Sequence, residues 1–187
     1  MKKKNNKGFL LVETLIVSTF AASTMIFIFI QFRRITTEYD RTFHYNTVEG
    51  LYATQEINKY ILNNGFEKIV EYMSGRTEDG EVADPEPYVI LYDGNSCSSV
   101  YLYETDYCNH LMKELNVKQV LVTYSDLNTD HFRENIDDYD QFDQGFKRFV
   151  KYIKYDEGDT ELLKKRTIVT FNDDTYATLK LYRKEGA

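Results

Sequence analysis

The chain has 187 residues, with 23 Lys+Arg against 30 Asp+Glu and a formal charge of −7. That length allows one domain plus an appendage. The acidic balance argues against nonspecific nucleic-acid binding through global charge, and it keeps an exposed domain soluble.

The first element is an apolar run behind a basic leader. Lys2, Lys3, Lys4 and Lys7 precede Gly8, and Phe9–Ile30 follows as 22 mostly apolar residues. As a helix this run is about 33 Å long, close to the hydrocarbon thickness of a bilayer. Thr14, Ser18, Thr19, Ser23 and Thr24 interrupt it with hydroxyls that bond back to helix carbonyls or pack against neighbouring helices. Arg33, Arg34 and, further on, Arg41 flank its far end. The lysine excess on the near side favours a cytoplasmic N-terminus. Without the four leader lysines, 19 basic residues face 30 acidic ones, a balance of −11.

Glu13 is the one ionisable residue inside the run. A carboxylate in a spanning helix is expensive and asks for a functional reason. A secretory signal peptide cleaved near Ala21 or Ser23 accounts for part of the run, and a plain signal anchor for all of it. Neither accounts for Glu13, and apolar Met25–Ile30 continues past the point where a cleavable segment stops.

Gly8 at a junction, aromatic Phe9 directly after it, and Glu13 as the fifth residue from that junction together resemble the N-terminal signature of type IV pilins and pseudopilins. The match covers about one sixth of the chain. The resemblance implies that a membrane-embedded prepilin peptidase cuts between Gly8 and Phe9 and methylates the new Phe9 amine. A glycine before the scissile bond leaves the backbone accessible. The resemblance also implies that Glu13 serves filament assembly by pairing with the Phe9 amine of a neighbouring subunit. The implied fold is α+β: a long N-terminal helix, transmembrane in its first half and amphipathic in its second, packed on a C-terminal antiparallel sheet. The domains follow as a leader over 1–8, a transmembrane or filament-core half over 9–32, and an extracytoplasmic domain over 33–187. Many major pilins carry a proline where this chain has Ile30, so a minor pilin or pseudopilin is the expected kind. The expected partners are the peptidase, other pilin-like subunits and the membrane. The expected location is the cell membrane, single-pass, before assembly and the pilus or extracytoplasmic face after it.

Ile35, Tyr39 and Phe43 recur at helical spacing, and Val48, Leu51, Tyr52, Ile57, Tyr60 and Ile61 continue an apolar stripe. One helix from Phe9 to about Leu62 is expected, with Gly65 as a left-handed cap. Gly50 marks a bend or a close approach. Phe66–Met73 reads as a short helix or an extension, and Ser74–Pro87 as a polar loop.

Tyr88–Tyr92 and Val100–Tyr103 flank a Gly-Asn-Ser turn region and read as a hairpin. Cys108–Leu115 reads as a short helix, and Val117–Tyr124 as a strand. Ser125–Gly145 is acidic and irregular. Phe146–Tyr155 has apolar residues at helical spacing but a strand-like composition, and is read as a strand. Arg166–Phe171 and Thr175–Tyr182 flank Asn172-Asp173-Asp174, a hairpin signal. The C-terminal half is thus an expected antiparallel meander.

Cys97 and Cys108 lie eleven residues apart in polar, turn-like surroundings. In an extracytoplasmic domain a disulfide between them is permitted, and their spacing does not suit a short zinc pair. Asp138 and Asp140 begin a calcium-loop pattern that fails at Phe142, so a solvated acidic loop is expected. Lys147, Arg148, Lys151 and Lys154 alternate with Phe149, Tyr152 and Tyr155. On a strand this would be a patch for single-stranded nucleic acid, as a competence-type pilus needs, although the acidic total argues against it. His44, His110 and His131 lack metal spacing, and no nucleophile constellation is visible. The chain is therefore expected to be structural rather than an enzyme, with no metal or cofactor. The alternatives are a signal-anchored protein acting alone and a DNA-binding pilin.

Overall fold

A computed structural model describes residues 7–75, 86–125, 131–153 and 165–181. The chain divides into two compact units, Met1–Thr42 and Phe43–Ala187.

The first unit is carried by α1 (Lys7–His44). Within it Val12–Thr37, 26 residues, is long and apolar enough to cross a membrane. Apolar side chains point outward all round, from Val12 at 56% exposed to Phe20 at 76%. The hydroxyls do not break this surface. Ser18 donates to the Leu15 carbonyl at 2.9 Å, Ser23 to that of Thr19 at 2.9 Å, and Thr24 to that of Phe20 at 2.8 Å. Each polar group is satisfied inside the helix, so it costs little in lipid.

The helical ladder stops at His44 and resumes in α2 (Val48–Asn64), where one continuous helix was expected. Asn46 adopts a left-handed φ of 54°, a conformation asparagine tolerates better than most residues. Its N–H donates to the Tyr176 carbonyl at 2.7 Å, and Tyr45 forms a parallel bridge with Tyr176. Thr47 then caps α2, its Oγ1 accepting the Gly50 N–H at 3.1 Å. Tertiary pairing with a sheet edge thus outcompetes helix continuation. Gly50 is not the bend. It is a close approach to the sheet: an added Cβ would lie 3.2 Å from both Ala177 Cβ and the Phe171 ring.

The buried face of α2 comprises Gly50, Ala53, Thr54, Ile57, Asn58, Tyr60 and Ile61, at three- and four-residue intervals. Val48 and Tyr52, expected on that stripe, point to solvent. Gly65 is extended at φ −179° rather than left-handed. Glycine fits there because a Cβ would run into the Tyr101 carbonyl. The next helix is α3 (Phe66–Met73).

β1 (Tyr88–Tyr92) does not form a hairpin with 100–103. Asp93 Oδ1 instead accepts the N–H groups of Asn95 and Ser96 at 3.0 and 3.2 Å. Tyr92 bridges Cys97, and Val100–Tyr103 forms a turn. Only Leu102 of that turn is buried, while Val100 and Tyr103 are exposed, so the segment has no face to offer a sheet. After α4 (Thr105–Glu114) the strand β2 (Val117–Tyr124) pairs with β1.

The expected strand over 146–155 is a helix. After α5 (His131–Glu134) and a 3-10 turn (Ile136–Asp138) comes α6 (Gln144–Tyr152). Asp143 caps it, accepting the Phe146 N–H at 2.8 Å. Helical spacing decides the outcome here: Phe146, Phe149 and Val150 are all buried on one face. The expected C-terminal hairpin is present as β3 (Lys165–Phe171) and β4 (Tyr176–Leu181).

The four strands form one antiparallel sheet in the order β1-β2-β3-β4. With the long apolar helix, this is an α+β layout. Two cores lie in the second unit. Val89, Leu91, Val120, Val122, Val169 and Ala177 share one core with α2, α3 and α4. Leu121, Ile168 and Tyr176 share the other with Phe132, Phe142, Phe146 and Phe149. The alternation of neighbouring residues between the cores shows that both sheet faces are covered, and every residue of β3 is buried.

Candidate assembly elements

The residues expected to act in processing and assembly all lie on α1. Gly8 and Phe9 sit in its first turn, and Glu13 follows Phe9 by four positions, one helical turn. Glu13 is exposed, as are the apolar residues that follow it. A carboxylate on such a surface has lipid or another helix as its surroundings once the helix leaves water, and both demand a partner for the charge.

Cys97 and Cys108 are joined by a disulfide with a Cα–Cα distance of 6.1 Å, inside the range a disulfide spans without backbone movement. Both are buried in the core shared with α2, not held in a polar turn as their neighbours had implied. Cys97 N–H donates to Asn109 Oδ1 at 2.7 Å, tying the loop to α4 a second time. The loop displays Val100, Tyr103 and Tyr107 to solvent. Lys68 Nζ sits 4.0 Å from the Tyr103 ring centroid, a cation–π contact that holds the ring.

The basic and aromatic residues of 147–155 are not brought together as an alternating patch. Lys147 is buried and donates to the Asp137 carbonyl at 3.0 Å, and Lys151 pairs with the Asp137 carboxylate at 2.6 Å. Phe149 is fully buried against Tyr45 and Tyr176, so it offers no face to a base. Lys154 and Tyr155 lie outside the described residues, as do Asp126 and Asp130 of the acidic loop. Phe142 of the calcium-like pattern is a core residue. His110 pairs with Glu114 at 3.1 Å on the surface of α4. Among the described residues no group of three or more His, Cys, Asp or Glu is placed to hold a metal.

Two features had no sequence signal. One is the docking of Tyr45–Asn46 on β4. The other is Lys165, buried at the start of β3 with its Nζ 3.5 Å from the Tyr124 ring centroid. Burial pushes its amine down to about 8. The Tyr124 hydroxyl in turn donates to the Met73 carbonyl.

Comparison with protein-family models, curated proteins and solved structures finds no match.

Proposed function

We propose that this chain is a pilin-like structural subunit, a minor pilin or pseudopilin of a type IV pilus-like filament system. The observation that carries this reading is Glu13, an exposed carboxylate and the one ionisable residue in the Phe9–Ile30 stretch of α1, one turn beyond the Gly8–Phe9 junction. Prepilin peptidase removes the leader after Gly8 and methylates the Phe9 amine. The N-terminus starts in the cytoplasm and the second unit lies outside the membrane. On assembly α1 leaves lipid for a bundle of like helices. Its self-satisfied hydroxyls and all-round apolar surface suit both surroundings. Glu13 then pairs with the Phe9 amine of a neighbour, and leaving either charge unpaired in the bundle costs roughly 3–5 kcal/mol. The α+β layout of a long helix followed by a meander supports the same reading, and the disulfide suits an extracytoplasmic domain.

Glu13→Gln tests the assembly role, because it keeps shape and removes charge. The variant should be cleaved after Gly8 like the parent, and should be poorly recovered with sheared filaments or partner pilins. Recovery at the parent level, with equal abundance in the membrane, would contradict a role for Glu13 in assembly.

A further inference from the structure

The second unit gathers its exposed apolar side chains in one place. Six large ones face solvent among its described residues. Four of them, Tyr72, Val100, Tyr103 and Tyr107, lie on α3, the disulfide loop and the start of α4. The other two, Val48 and Tyr52, stand at the start of α2. Scattered exposed apolar residues need no explanation, whereas a gathered set marks an interaction surface.

The rings of this face are held before anything binds. The disulfide closes their loop. The Tyr103 N–H donates to the Asn64 carbonyl at 2.9 Å, and the Tyr60 hydroxyl to the Glu104 carbonyl at 2.6 Å. Tyr107 rests against Tyr60 with ring centroids 5.7 Å apart, and Tyr72 meets Tyr101 edge-on at 5.0 Å. Rings fixed in this way lose little freedom when a partner arrives, so their contact contributes more to binding.

Charge selects the partner. An exposed carboxylate adjoins each exposed ring in sequence: Glu71 beside Tyr72, Glu104 after Tyr103, and Asp106 before Tyr107. None of the three forms an ion pair with a described residue. The neighbouring cations do not answer them. His110 is paired with Glu114 at 3.1 Å, and Lys113, six positions after Tyr107, points about 120° away around α4. Lys68 lies over the Tyr103 ring, 4.0 Å from its centroid, so one ring of this face already receives a cation from within the chain. Anionic partners, nucleic acid included, are repelled. A second copy brings the same acidic excess, 30 Asp+Glu against 23 Lys+Arg. A basic partner fits, and arginine suits it better than lysine: a planar guanidinium stacks on a tyrosine face while its fork grips a carboxylate. We propose that this face is a docking surface for an arginine-bearing segment of a partner protein. The proposal is independent of filament assembly.

The test uses the full chain in nanodiscs of zwitterionic lipid, with fluorescence anisotropy at physiological ionic strength. The probe is a labelled peptide of four arginines spaced by glycine, beside its lysine and citrulline twins. The arginine peptide should bind, more tightly than the lysine twin, and the neutral citrulline twin should not. Tyr103→Ala and Tyr107→Ala should each weaken binding roughly tenfold, the scale of one desolvated cation–π contact. Tyr103→Phe keeps the ring and should retain binding, which separates a lost contact from a lost fold. Tyr52→Ala, an exposed ring outside this face, should leave binding unchanged. Glu104→Gln should weaken binding and flatten its salt dependence. No binding of the arginine peptide, equal binding of the lysine twin, or parental affinity in Tyr103→Ala and Tyr107→Ala would overturn the proposal. Self-association in sedimentation that Tyr103→Ala abolishes would put a second copy on this face and overturn it equally.

Discussion

Asn46 Oδ1 accepts the backbone N–H of Thr178 at 3.0 Å, across 132 positions of sequence. With the Asn46 N–H on the Tyr176 carbonyl and Asn58 Nδ2 on the Lys180 carbonyl at 3.1 Å, this bond covers the open edge of β4. Exposed strand edges template unwanted pairing, and here the segment joining α1 and α2 blocks one.

Asn46→Ala should therefore destabilise the second unit. It forces a Cβ residue without a local polar group into the left-handed region and leaves the Thr178 N–H without its acceptor. The expected loss is about 1–3 kcal/mol, read as a lower midpoint in thermal unfolding. Asn46→Gly keeps the backbone and loses only the acceptor, so it should fall between the two. An alanine variant as stable as the parent would show that the edge bond contributes nothing.

This junction also marks where the sequence is silent. No proline lies near Asn46 and Gly50 falls past the break, inside α2; the force that breaks the helix comes from β4. The short-range signals were better guides. The Asn172-Asp173-Asp174 turn places Asp174 at a positive φ of 59°; that hairpin signal made β3 and β4 legible, and the Val and Leu alternation made β2 so. The segment around Phe149 misled through its composition. Its apolar spacing pointed to helix and prevailed, with Asp143 capping the first turn in the structure. The pairing of Gln119 with Thr170 was illegible, because the two meet only through the β2–β3 register.

The disulfide closes the loop that carries Val100, Tyr103 and Tyr107. Chain-entropy reasoning puts its contribution at roughly 3 kcal/mol for a loop of this size. The double variant Cys97→Ala/Cys108→Ala should lose about that much in urea unfolding, and reductant should move the parent and not the variant. Coincident unfolding curves for the parent with and without reductant would refute this.

Lys165 gives the fold a pH dependence. Its amine titrates at about 8 when folded and near 10.5 when free. Between these values the unfolded chain binds the extra proton, so stability rises with pH from about 8. Its slope is at most about 1.4 kcal/mol per pH unit. Below about 8 both states are protonated and this contribution is flat at its lowest. Burial holds the hydroxyls of Tyr176 and Tyr101 above their usual range, so their contribution falls as pH climbs past about 10. The parent should show a rise between pH 8 and 10 and a decline above. Lys165→Met keeps much of the stem and removes the charge, and should abolish the rise. A rise that persists in Lys165→Met would assign it to another group.

The central claim is that α1 is exported as a pilin helix, and the state of its N-terminus tests this most directly. Intact-mass and N-terminal peptide mass spectrometry of protein recovered from the membrane of its own cells should find a chain beginning at Phe9 with a methylated amine. Replacing Gly8 with a bulky residue should leave the full-length precursor. A mature chain that still begins at Met1, or that begins beyond Ala21, would contradict the account.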